Sequence, residues 1–436
     1  MKTNTIYKEL IKSYELKSGF NGSISDILNK IEGLKLESHL ETEVISLNNL
    51  TEWSFDNDSG NFSHASGKFF KIVGCDFKKT IQPIIVQPEI GILGFLTAMV
   101  GGSLHFLTQL KNEPGNIDGV QLSPTVQATK SNYSQVHGGS LPKHLEFFIG
   151  DHQNTVIADQ YLSEQGSRYF NKRNRNIILF TENPPKQDST HLWLTLGQIK
   201  DLIGLDNTVN SCARSVISMI SVLSSSEKTY DQEVVDQNKL SKIMNFKDSL
   251  NYKAILTPLN VIRNWSYKNG EYASTSKEDF KLIGCSVNGK NREVTSWTQP
   301  LLKESGKGEY GLCIGTNKSQ KYILWKIRNE PGLYDFFELG PTWIKRSEVS
   351  EENPLSCIYK SIKLVRDVEL AEEGGRFYKS SFSHLIINIG DFEFEDLPID
   401  IIPFTIRETQ KNMTKPNFFT IEARSLWSLI SEKDFD

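Results

Sequence analysis

The sequence predicts a mixed α/β, strand-rich protein made of two tandem copies of one domain. Three observations support this prediction. Short motifs recur in the same order about 210 residues apart, β-branched and aromatic runs dominate each copy, and helical periodicity appears near the end of each copy. The 436 residues allow two domains of about 200 residues, each large enough to bury its own core. So long a period indicates globular copies and not a solenoid array.

Five pairs of matching segments define the duplication. Phe70–Cys75 recurs as Phe280–Cys285, an offset of 280 − 70 = 210, and Asn112–Gly115 recurs as Asn329–Gly332, an offset of 217. The other pairs, with offsets of 212, 217 and 208, are Trp53–Phe55 with Trp265–Tyr267, Ser123–Val126 with Gly340–Trp343, and Glu164–Phe170 with Glu372–Tyr378. Because the order is constant and the offsets drift by only a few residues, chance matches are excluded.

Strands make up most of the predicted structure of each copy. Strands of the first copy are predicted at Phe69–Cys75, Gly91–Met99 and Ser103–Leu110. Gly101-Gly102 lies between the last two and predicts a hairpin turn. In the second copy, Tyr310–Ile314 and Tyr322–Ile327 predict a hairpin whose turn begins at Gly315.

Helices are predicted where apolar residues recur at intervals of three and four. Ile6, Leu10, Ile11 and Tyr14 have this spacing at the start of the chain. Near the end of the first copy, Thr195 is a candidate N-cap for Leu196–Ile203, and a further helix is predicted within Asn207–Leu223. A helical pattern also follows Thr420 in the second copy.

A polar stretch from Ser224 to about Asn251 separates the copies and is predicted to be part helix and part linker. We therefore expect an N-terminal domain at residues 1–223, a connection at 224–251 and a C-terminal domain at 252–436.

Composition and charge argue against several classes of protein. Lys plus Arg is 49 and Asp plus Glu is 53, so a net charge of −4 argues against nucleic acid as the main partner. The longest apolar run, Ile90–Val100, is too short and too interrupted for a membrane span, and the N-terminus lacks the apolar core of a signal peptide. The five cysteines form no CxxC pair, which indicates a reduced, cytoplasmic protein without a zinc site. No dinucleotide-binding glycine motif, P-loop or nucleophile elbow is present.

One long, irregular set of segments is distinctive: Gln87–Phe95, Leu104–Leu107, Glu113–Asn116, Gln121–Thr129, Ser131–Tyr133 and Val136–Gly139. Together with Trp193–Leu196 and Glu373–Phe377, this set closely resembles the NDP-hexose 2,3-dehydratase family over nearly the whole chain. We call Gln121–Gly139 the signature segment.

The resemblance implies a tandem Nudix-like fold, a cytoplasmic homodimer and a nucleotide-linked 4-keto-6-deoxyhexose as substrate. It also implies that one pocket is active and the other is a remnant. The first copy keeps a dense polar signature segment, whereas the second copy reads Pro341-Thr342-Trp343-Ile344 at the matching place, so we expect activity in the first. The glutamate-rich Nudix helix motif is absent, which leaves metal-dependent pyrophosphate cleavage unsupported. We expect no metal and no cofactor.

The implied reaction removes water across C-2 and C-3 of the sugar and needs a base, an acid and donors for an enolate oxygen. The candidate catalytic residues are His137, Tyr133 and Glu113. Each has a simpler alternative: His137 as a surface histidine, Tyr133 as an apolar wall and Glu113 as an acceptor at a turn. The sequence does not decide which residue is the base.

Substrate recognition is expected from uncharged polar groups, an aromatic face and a cation. The candidates are Trp53, His64, Phe69, Lys111, Thr125, Gln127, Thr129, Ser131, Asn132, Arg168, Tyr169 and Trp193. Arg168 fits either a phosphate contact or a structural ion pair, and its counterpart Arg376 leaves both alternatives open. Trp265, Glu330, Thr342 and Arg376 mark the second pocket, and Lys172–Arg175 is expected to be a solvated turn.

Two other functions remain open. The runner-up is a sugar-nucleotide binding protein without turnover on the same duplicated fold, and the third is a residual Nudix-type pyrophosphohydrolase. The sequence specifies neither the nucleotide base nor the final deoxysugar.

Overall fold

A computed structural model describes residues 3–38, 40–78, 80–130, 141–150, 154–220, 237–249, 252–275, 280–289, 295–346, 352–356 and 362–435. Within these ranges the chain is a strand-rich, mixed α/β protein with an internal two-fold repeat, as predicted. The helices are α1 Thr3–Glu15, α2 Ile24–Glu37, α3 Leu196–Ile203, α4 Ser211–Ser218, α5 Gln237–Ser249, α6 Ile406–Asn412 and α7 Ile421–Leu429. In the described part of the chain, no helix combines the length and apolar character that crossing a bilayer requires.

The strands follow the same order in each copy. Those of the first copy are β1 Leu40–Ile45, β2 Trp53–Phe55, β3 Phe62–His64, β4 Lys71–Phe77, β5 Thr80–Val86, β6 Gly91–Val100, β7 Ser103–Asn112, β8 Val120–Ser123, β9 Val126–Ala128, β10 Thr155–Ser163, β11 Arg173–Phe180 and β12 His191–Leu194. Those of the second are β13 Ile255–Thr257, β14 Trp265–Lys268, β15 Glu271–Ser274, β16 Phe280–Gly289, β17 Ser296–Glu304, β18 Gly308–Asn317, β19 Gln320–Asn329, β20 Phe337–Gly340, β21 Trp343–Lys345, β22 Lys363–Ala371, β23 Ser381–Asp391 and β24 Ile401–Thr405.

Each copy contains a seven-stranded sheet with the same topology. The order is β10-β11-β6-β7-β12 in the first copy and β22-β23-β18-β19-β24 in the second, and β6–β11 and β18–β23 are parallel pairs. β6 and β7 pair only from Leu96 and Leu107 to their turn, and β8 and β9 fill the fork that opens beyond. This fork positions the signature segment, since β8 and β9 are its first part.

The two copies exchange strands in their small sheets. β1 of the first copy pairs with β16 of the second, while β13 of the second pairs with β4 of the first. Each small sheet therefore contains one strand from the other copy. The copies are two units in sequence, but they are interlocked in space.

Reciprocal contacts also join the copies around a pseudo-two-fold axis. Gly115 donates to the Gly374 carbonyl at 2.7 Å, and Gly332 donates to the Gly166 carbonyl at 2.7 Å. A Cβ on Gly115 would lie 1.7 Å from a carbonyl oxygen of Phe377, so only glycine fits there. Between α4 and α7, Arg214 donates to Ser425 at 3.2 Å and Arg424 donates to Ser215 at 3.0 Å.

Several predicted elements are confirmed. Thr195 caps α3 through a reciprocal capping box, Thr420 caps α7, and Gly101-Gly102 forms a turn with both residues at positive φ. Apolar side chains of the N-terminal helix are buried, with Ile6 and Leu10 below 5 % exposed.

Three details differ from the prediction. The second-copy hairpin turns at Lys318-Ser319 and not at Gly315, because β18 continues to Asn317 and the positive φ angles fall on the next two residues. The helix predicted within Asn207–Leu223 spans only Ser211–Ser218, with Asn210 as its N-cap. Residues 221–223 of the predicted range lie outside the described residues. Lys172–Arg175 is not a solvated turn: Arg173 begins β11, and Lys172 is buried against the Glu89 carbonyl.

Candidate active site

The fork between β6 and β7 is closed by one threonine. The Thr125 hydroxyl donates to the Leu107 carbonyl and accepts from the Leu96 amide at 2.8 Å, joining the last residues that the two strands pair. Thr342 repeats these bonds in the second copy, from the Cys313 amide at 2.9 Å to the Leu324 carbonyl at 2.7 Å. Both hydroxyls are engaged in the fold and both residues are fully buried, so Thr125 positions the signature segment.

Two residues after this threonine, Gln127 lies at the centre of a polar group that we call the Gln127 network: Lys111, Glu113, Ser123, Gln127 and Asn210. The Gln127 amide nitrogen donates to Glu113 Oε1 at 3.1 Å, and its oxygen accepts from Ser123 Oγ and Asn210 Nδ2, both at 2.9 Å. Lys111 Nζ lies 3.3 Å from Glu113 Oε1 and donates to the Gln127 carbonyl at 3.3 Å. These contacts fix both the side chain and the backbone of Gln127.

The structure brings three candidates together here, namely Lys111, Glu113 and Gln127. Sequence reasoning missed Ser123 and Asn210, since Asn210 is 83 residues from Gln127 and is also the N-cap of α4. Gln127 and Thr129 are half-buried and lead towards the rest of the signature segment. Ser131, Asn132, Tyr133 and His137 lie outside the described residues.

Carboxylates of both copies surround this network. Glu113 keeps one buried oxygen, Oε2, without a hydrogen-bond partner. A Cβ on Gly375 would lie 3.4 Å from Glu113 Oε1 and 3.1 Å from Glu373 Oε1, which places the second copy's loop beside Glu113. The candidate Tyr169 donates to Glu373 Oε2 at 3.0 Å, and Glu373 belongs to the second-copy loop that lies beside Glu113.

Burial dominates the electrostatics of this region. Burial, with the nearby Glu373 carboxylate, raises the pKa of Glu164 to about 7, so Glu164 holds a proton over part of the neutral range. Burial also raises the pKa of the Cys212 thiol well above its usual range, and Glu373 and Glu164 raise it further. Cys212 is therefore a neutral thiol and is unsuited to act as a nucleophile.

The aromatic candidates fall into two places. Trp53, His64 and Phe69 form one cluster on the small sheet, with ring centroids 5.2 Å apart for Trp53–His64 and 4.4 Å apart for His64–Phe69. Trp53 is 6 % exposed and packs in the core there, as Trp265 does in the second copy at 9 %. Trp193 is buried in a separate core beneath the seven-stranded sheet. The four first-copy residues do not form one stacking face.

The two candidate phosphate arginines face the interior. Arg168 is 1 % exposed and forms a two-pronged ion pair with Glu304 of the second copy, at 3.1 Å from both Nε and Nη2. Its guanidinium also stacks on the Phe280 ring at 4.0 Å. Arg376 repeats the stacking on Phe70 at 4.2 Å, with Gln87 as its partner. These contacts favour the structural alternative stated above for both arginines.

The second copy has its own polar cluster at the equivalent place, which we call the Tyr310 cluster: Tyr310, Glu330, Arg346, Glu372 and Glu422. Arg346 donates to the Tyr310 hydroxyl at 3.0 Å and lies 3.5 Å from Glu422 Oε1, and the Tyr310 hydroxyl donates to Glu372 at 3.4 Å. The second copy therefore carries a different set of polar groups, of which only Arg346 comes from the segment that matches the signature segment.

The two clusters differ in their chemistry. The second copy has Ile344 where the first has Gln127 (344 − 127 = 217), and Thr420 where the first has Asn210. Its remaining groups are mostly arginines and glutamates that are 8 % exposed or less. The first copy thus adds uncharged amides and a hydroxyl to its Lys111–Glu113 pair, whereas the second holds a mainly ionic cluster.

We expect the stability of Glu372→Gln relative to the wild type to increase as pH rises, because the wild type loses stability when Glu372 ionises. Burial and the nearby Glu422 carboxylate together raise the pKa of Glu372 to about 8, so the folded state binds this proton more tightly than the unfolded chain does. The stabilising effect of that proton is complete below pH about 4.5 and disappears as pH rises through about 8. Glutamine does not titrate, and it can still accept from Tyr310.

Urea unfolding at several pH values between 5 and 9 tests this. Between pH 5 and pH 9, the free energy of unfolding of the variant minus that of the wild type should increase by about 2 kcal/mol or more. A constant difference between the two proteins would show that Glu372 is already ionised in the fold.

A family model described as NDP-hexose 2,3-dehydratase matches this chain twice, at residues 24–220 and 237–430. Three curated proteins named dTDP-4-dehydro-6-deoxy-alpha-D-glucopyranose 2,3-dehydratase are similar along most of their length. The protein from Saccharopolyspora spinosa is 33% identical over 432 residues, covering 89% of this chain and 87% of the relative. Those from Amycolatopsis orientalis and Streptomyces violaceoruber are 33% and 32% identical, covering 89% and 88% of this chain and 86% and 91% of the relatives.

Proposed function

The chain belongs to the NDP-hexose 2,3-dehydratase family, and we propose that its substrate is the dTDP-linked 4-dehydro-6-deoxy-α-D-glucopyranose named for its relatives. It is a sugar-nucleotide dehydratase, as the sequence resemblance implied. The observation that carries the substrate is identity of 32% to 33% sustained over nearly nine-tenths of the chain.

The reaction balances without an external oxidant. The C-4 ketone acidifies the hydrogen on C-3, a base removes it, and the enolate expels the C-2 hydroxyl, which leaves as water after an acid protonates it. The resulting enol takes a proton at C-2 and becomes a 3,4-diketo-2,6-dideoxyhexose nucleotide. Because the substrate already carries its carbonyl, the protein supplies only proton transfer and hydrogen-bond donors to the enolate oxygen.

We place this chemistry in the first copy, at the Gln127 network and the signature segment that continues from it. Glu113 supports the assignment because its Oε1 accepts from Gln127 at 3.1 Å and lies 3.3 Å from the Lys111 cation. His137 and Tyr133 complete the proposed acid and base set. The half-buried Gln127 amide has a second N–H that can donate to a sugar hydroxyl, and the buried Asn210 holds this amide in place.

The finer structural expectations remain part of this proposal. We infer a Nudix-like fold for each copy, with residues 1–223 and 252–436 as domains and 224–251 as their connection. The repeated sheet order and the chain gap between the two family matches support this division. We also propose a homodimer in a reducing, cytoplasmic setting. Among the described residues, four buried cysteines form no disulfide, which supports the reducing setting.

Incubation with the dTDP-4-keto-6-deoxyglucose substrate tests the function. The unstable diketo product should decompose and release dTDP at a rate proportional to the enzyme concentration. The control compound dTDP-glucose lacks the ketone, so no dTDP should be released from it. Release of a sugar phosphate and dTMP from both compounds would instead identify a Nudix-type pyrophosphohydrolase. Tight substrate binding with unchanged substrate would identify the non-catalytic alternative.

A further inference from the structure

A second polar group lies in the first copy, at the β12 edge of the seven-stranded sheet. We call it the His144 cluster: Lys143, His144, Asp188, Thr190 and His191. His144 precedes a short 3₁₀ turn at residues 145–147, and His191 is the first residue of β12. One ligand atom from each of His144, Asp188 and His191 lies within 4.8 Å of the others. Spacing along the sequence did not reveal this group, because Asp188 follows His144 at an offset of 188 − 144 = 44 residues.

Each of the two imidazoles has one buried ring nitrogen without a hydrogen-bond partner. Their ring centroids are 4.6 Å apart and the ring planes are nearly perpendicular, at 89°. The Nε2 atoms of both histidines are buried without a hydrogen bond, and His191 is fully buried. The Thr125 backbone is near the His191 ring, but no hydrogen bond of good geometry reaches Nε2. Such orphaned nitrogens cost free energy unless a ligand satisfies them.

Asp188 holds His191 in place. Its Oδ1 accepts from the Thr190 amide at 2.8 Å and the Thr190 hydroxyl at 2.9 Å, and it lies 3.2 Å from His191 Nδ1. The Asp188 carboxylate also has an oxygen within 4.8 Å of a ring nitrogen of each histidine, so it can itself be a ligand.

A cation already neutralises this carboxylate. Lys143 Nζ lies 2.8 Å from Asp188 Oδ2, but the Lys143 side chain is 61% exposed. An ion pair so exposed to water contributes little to stability, so a metal ion can displace the ammonium at small cost.

The second copy lacks every one of these ligands. His191 pairs with Gln109 on β7, and Ile401 pairs with the equivalent Lys326 on β19, so the two positions correspond at an offset of 401 − 191 = 210. The same offset places Pro354 at His144 and Pro398 at Asp188. The group is therefore particular to the copy that contains the signature segment, and the duplicated fold does not require it.

From this geometry we propose that His144, Asp188 and His191 bind one divalent transition-metal ion of the zinc class. Two imidazole nitrogens and one carboxylate oxygen are a ligand set that zinc accepts, with the fourth position open to water. The ion fastens the segment around His144, which follows the signature segment, to β12. This revises the sequence-based expectation that no metal ligand set is present. The dehydration does not require this ion as an electrophile, so the proposal does not depend on the proposed function.

Metal analysis of the full, untagged chain tests the proposal. After metal removal and dialysis against zinc, the wild type should retain one zinc ion per chain, and its Tm should rise by roughly 3 °C over the metal-free protein. His191→Ile gives the first copy the residue that the second copy tolerates, and it should bind no zinc and show no shift. His144→Ala should behave in the same way.

Lys143→Met is the matched control. It removes the competing ammonium and leaves all three ligands, so its zinc affinity should equal or exceed that of the wild type. The proposal is overturned if the wild type retains no zinc, or if His191→Ile and His144→Ala retain as much as the wild type does. Binding lost in Lys143→Met but kept in His191→Ile would also overturn it.

Discussion

Glu113→Gln should lower kcat by about 10²-fold or more, while Glu330→Gln should leave it within about threefold of the wild type. The two glutamates occupy equivalent positions, at an offset of 330 − 113 = 217, and each has a buried Oε2 without a partner. Their surroundings differ. Glu113 borders Gln127 and the signature segment, whereas Glu330 lies among the charges of the Tyr310 cluster.

The measurement is steady-state kinetics on both variants, with folding checked by circular dichroism and urea unfolding. His137→Ala and Gln127→Ala belong to the same test and should follow Glu113→Gln, whereas Thr342→Ala should act only through stability, by roughly 1 kcal/mol. If Glu330→Gln abolished turnover in a well-folded protein while Glu113→Gln did not, the active pocket would be in the second copy.

Arg168→Ala should destabilise the protein by about 3–5 kcal/mol, because it leaves Glu304 buried and unpaired. The side chains of Arg168 and Glu304 are 1% and 8% exposed, and their bonds join the first copy to the second. Arg376→Ala is the matched control. Its nearest side-chain acceptor is the neutral Gln87, at 3.3 Å, so its loss should cost only about 1–2 kcal/mol.

Urea unfolding of both variants measures the difference, and a double variant gives a further check. Replacing Arg168 with Met and Glu304 with Leu removes both charges and should recover most of the lost stability. If Arg168→Ala and Arg376→Ala lowered the free energy of unfolding equally, stacking on Phe280 and Phe70 would account for the loss, and the ion pair with Glu304 would not. A phosphate-binding role for Arg168 predicts instead a raised KM with little change in stability.

The duplication and the local elements could be predicted because they depend on short-range patterns. Thr195 and Thr420 identify their helices through capping, and Gly101-Gly102 identifies its hairpin through positive φ. Strand exchange between the copies could not be predicted. The sequence of Leu40–Ile45 favours a strand, but nothing local specifies that its partner is β16.

The sequence predicted site residues only where those residues lie within a short, recognisable motif. Glu113 and Gln127 lie in recognisable motifs, and the fold brings them within 3.1 Å of each other. Thr125 and Arg168 belong to equally distinctive motifs but serve the fold, because a hydroxyl or guanidinium suits a backbone carbonyl or a buried glutamate as well as a substrate. Asn210, Glu373 and the His144 cluster depend on contacts between distant segments.

The central claim is that this chain eliminates water across C-2 and C-3 of a sugar nucleotide. Mass spectrometry of the product formed in D₂O, after rapid reduction to trap the diketone, tests it most directly. We expect a trapped sugar that has lost the elements of one water molecule, with one solvent deuterium at C-2 and the original C-3 hydrogen gone. A product that retains its C-2 hydroxyl, or that carries no solvent deuterium at C-2, would contradict the account.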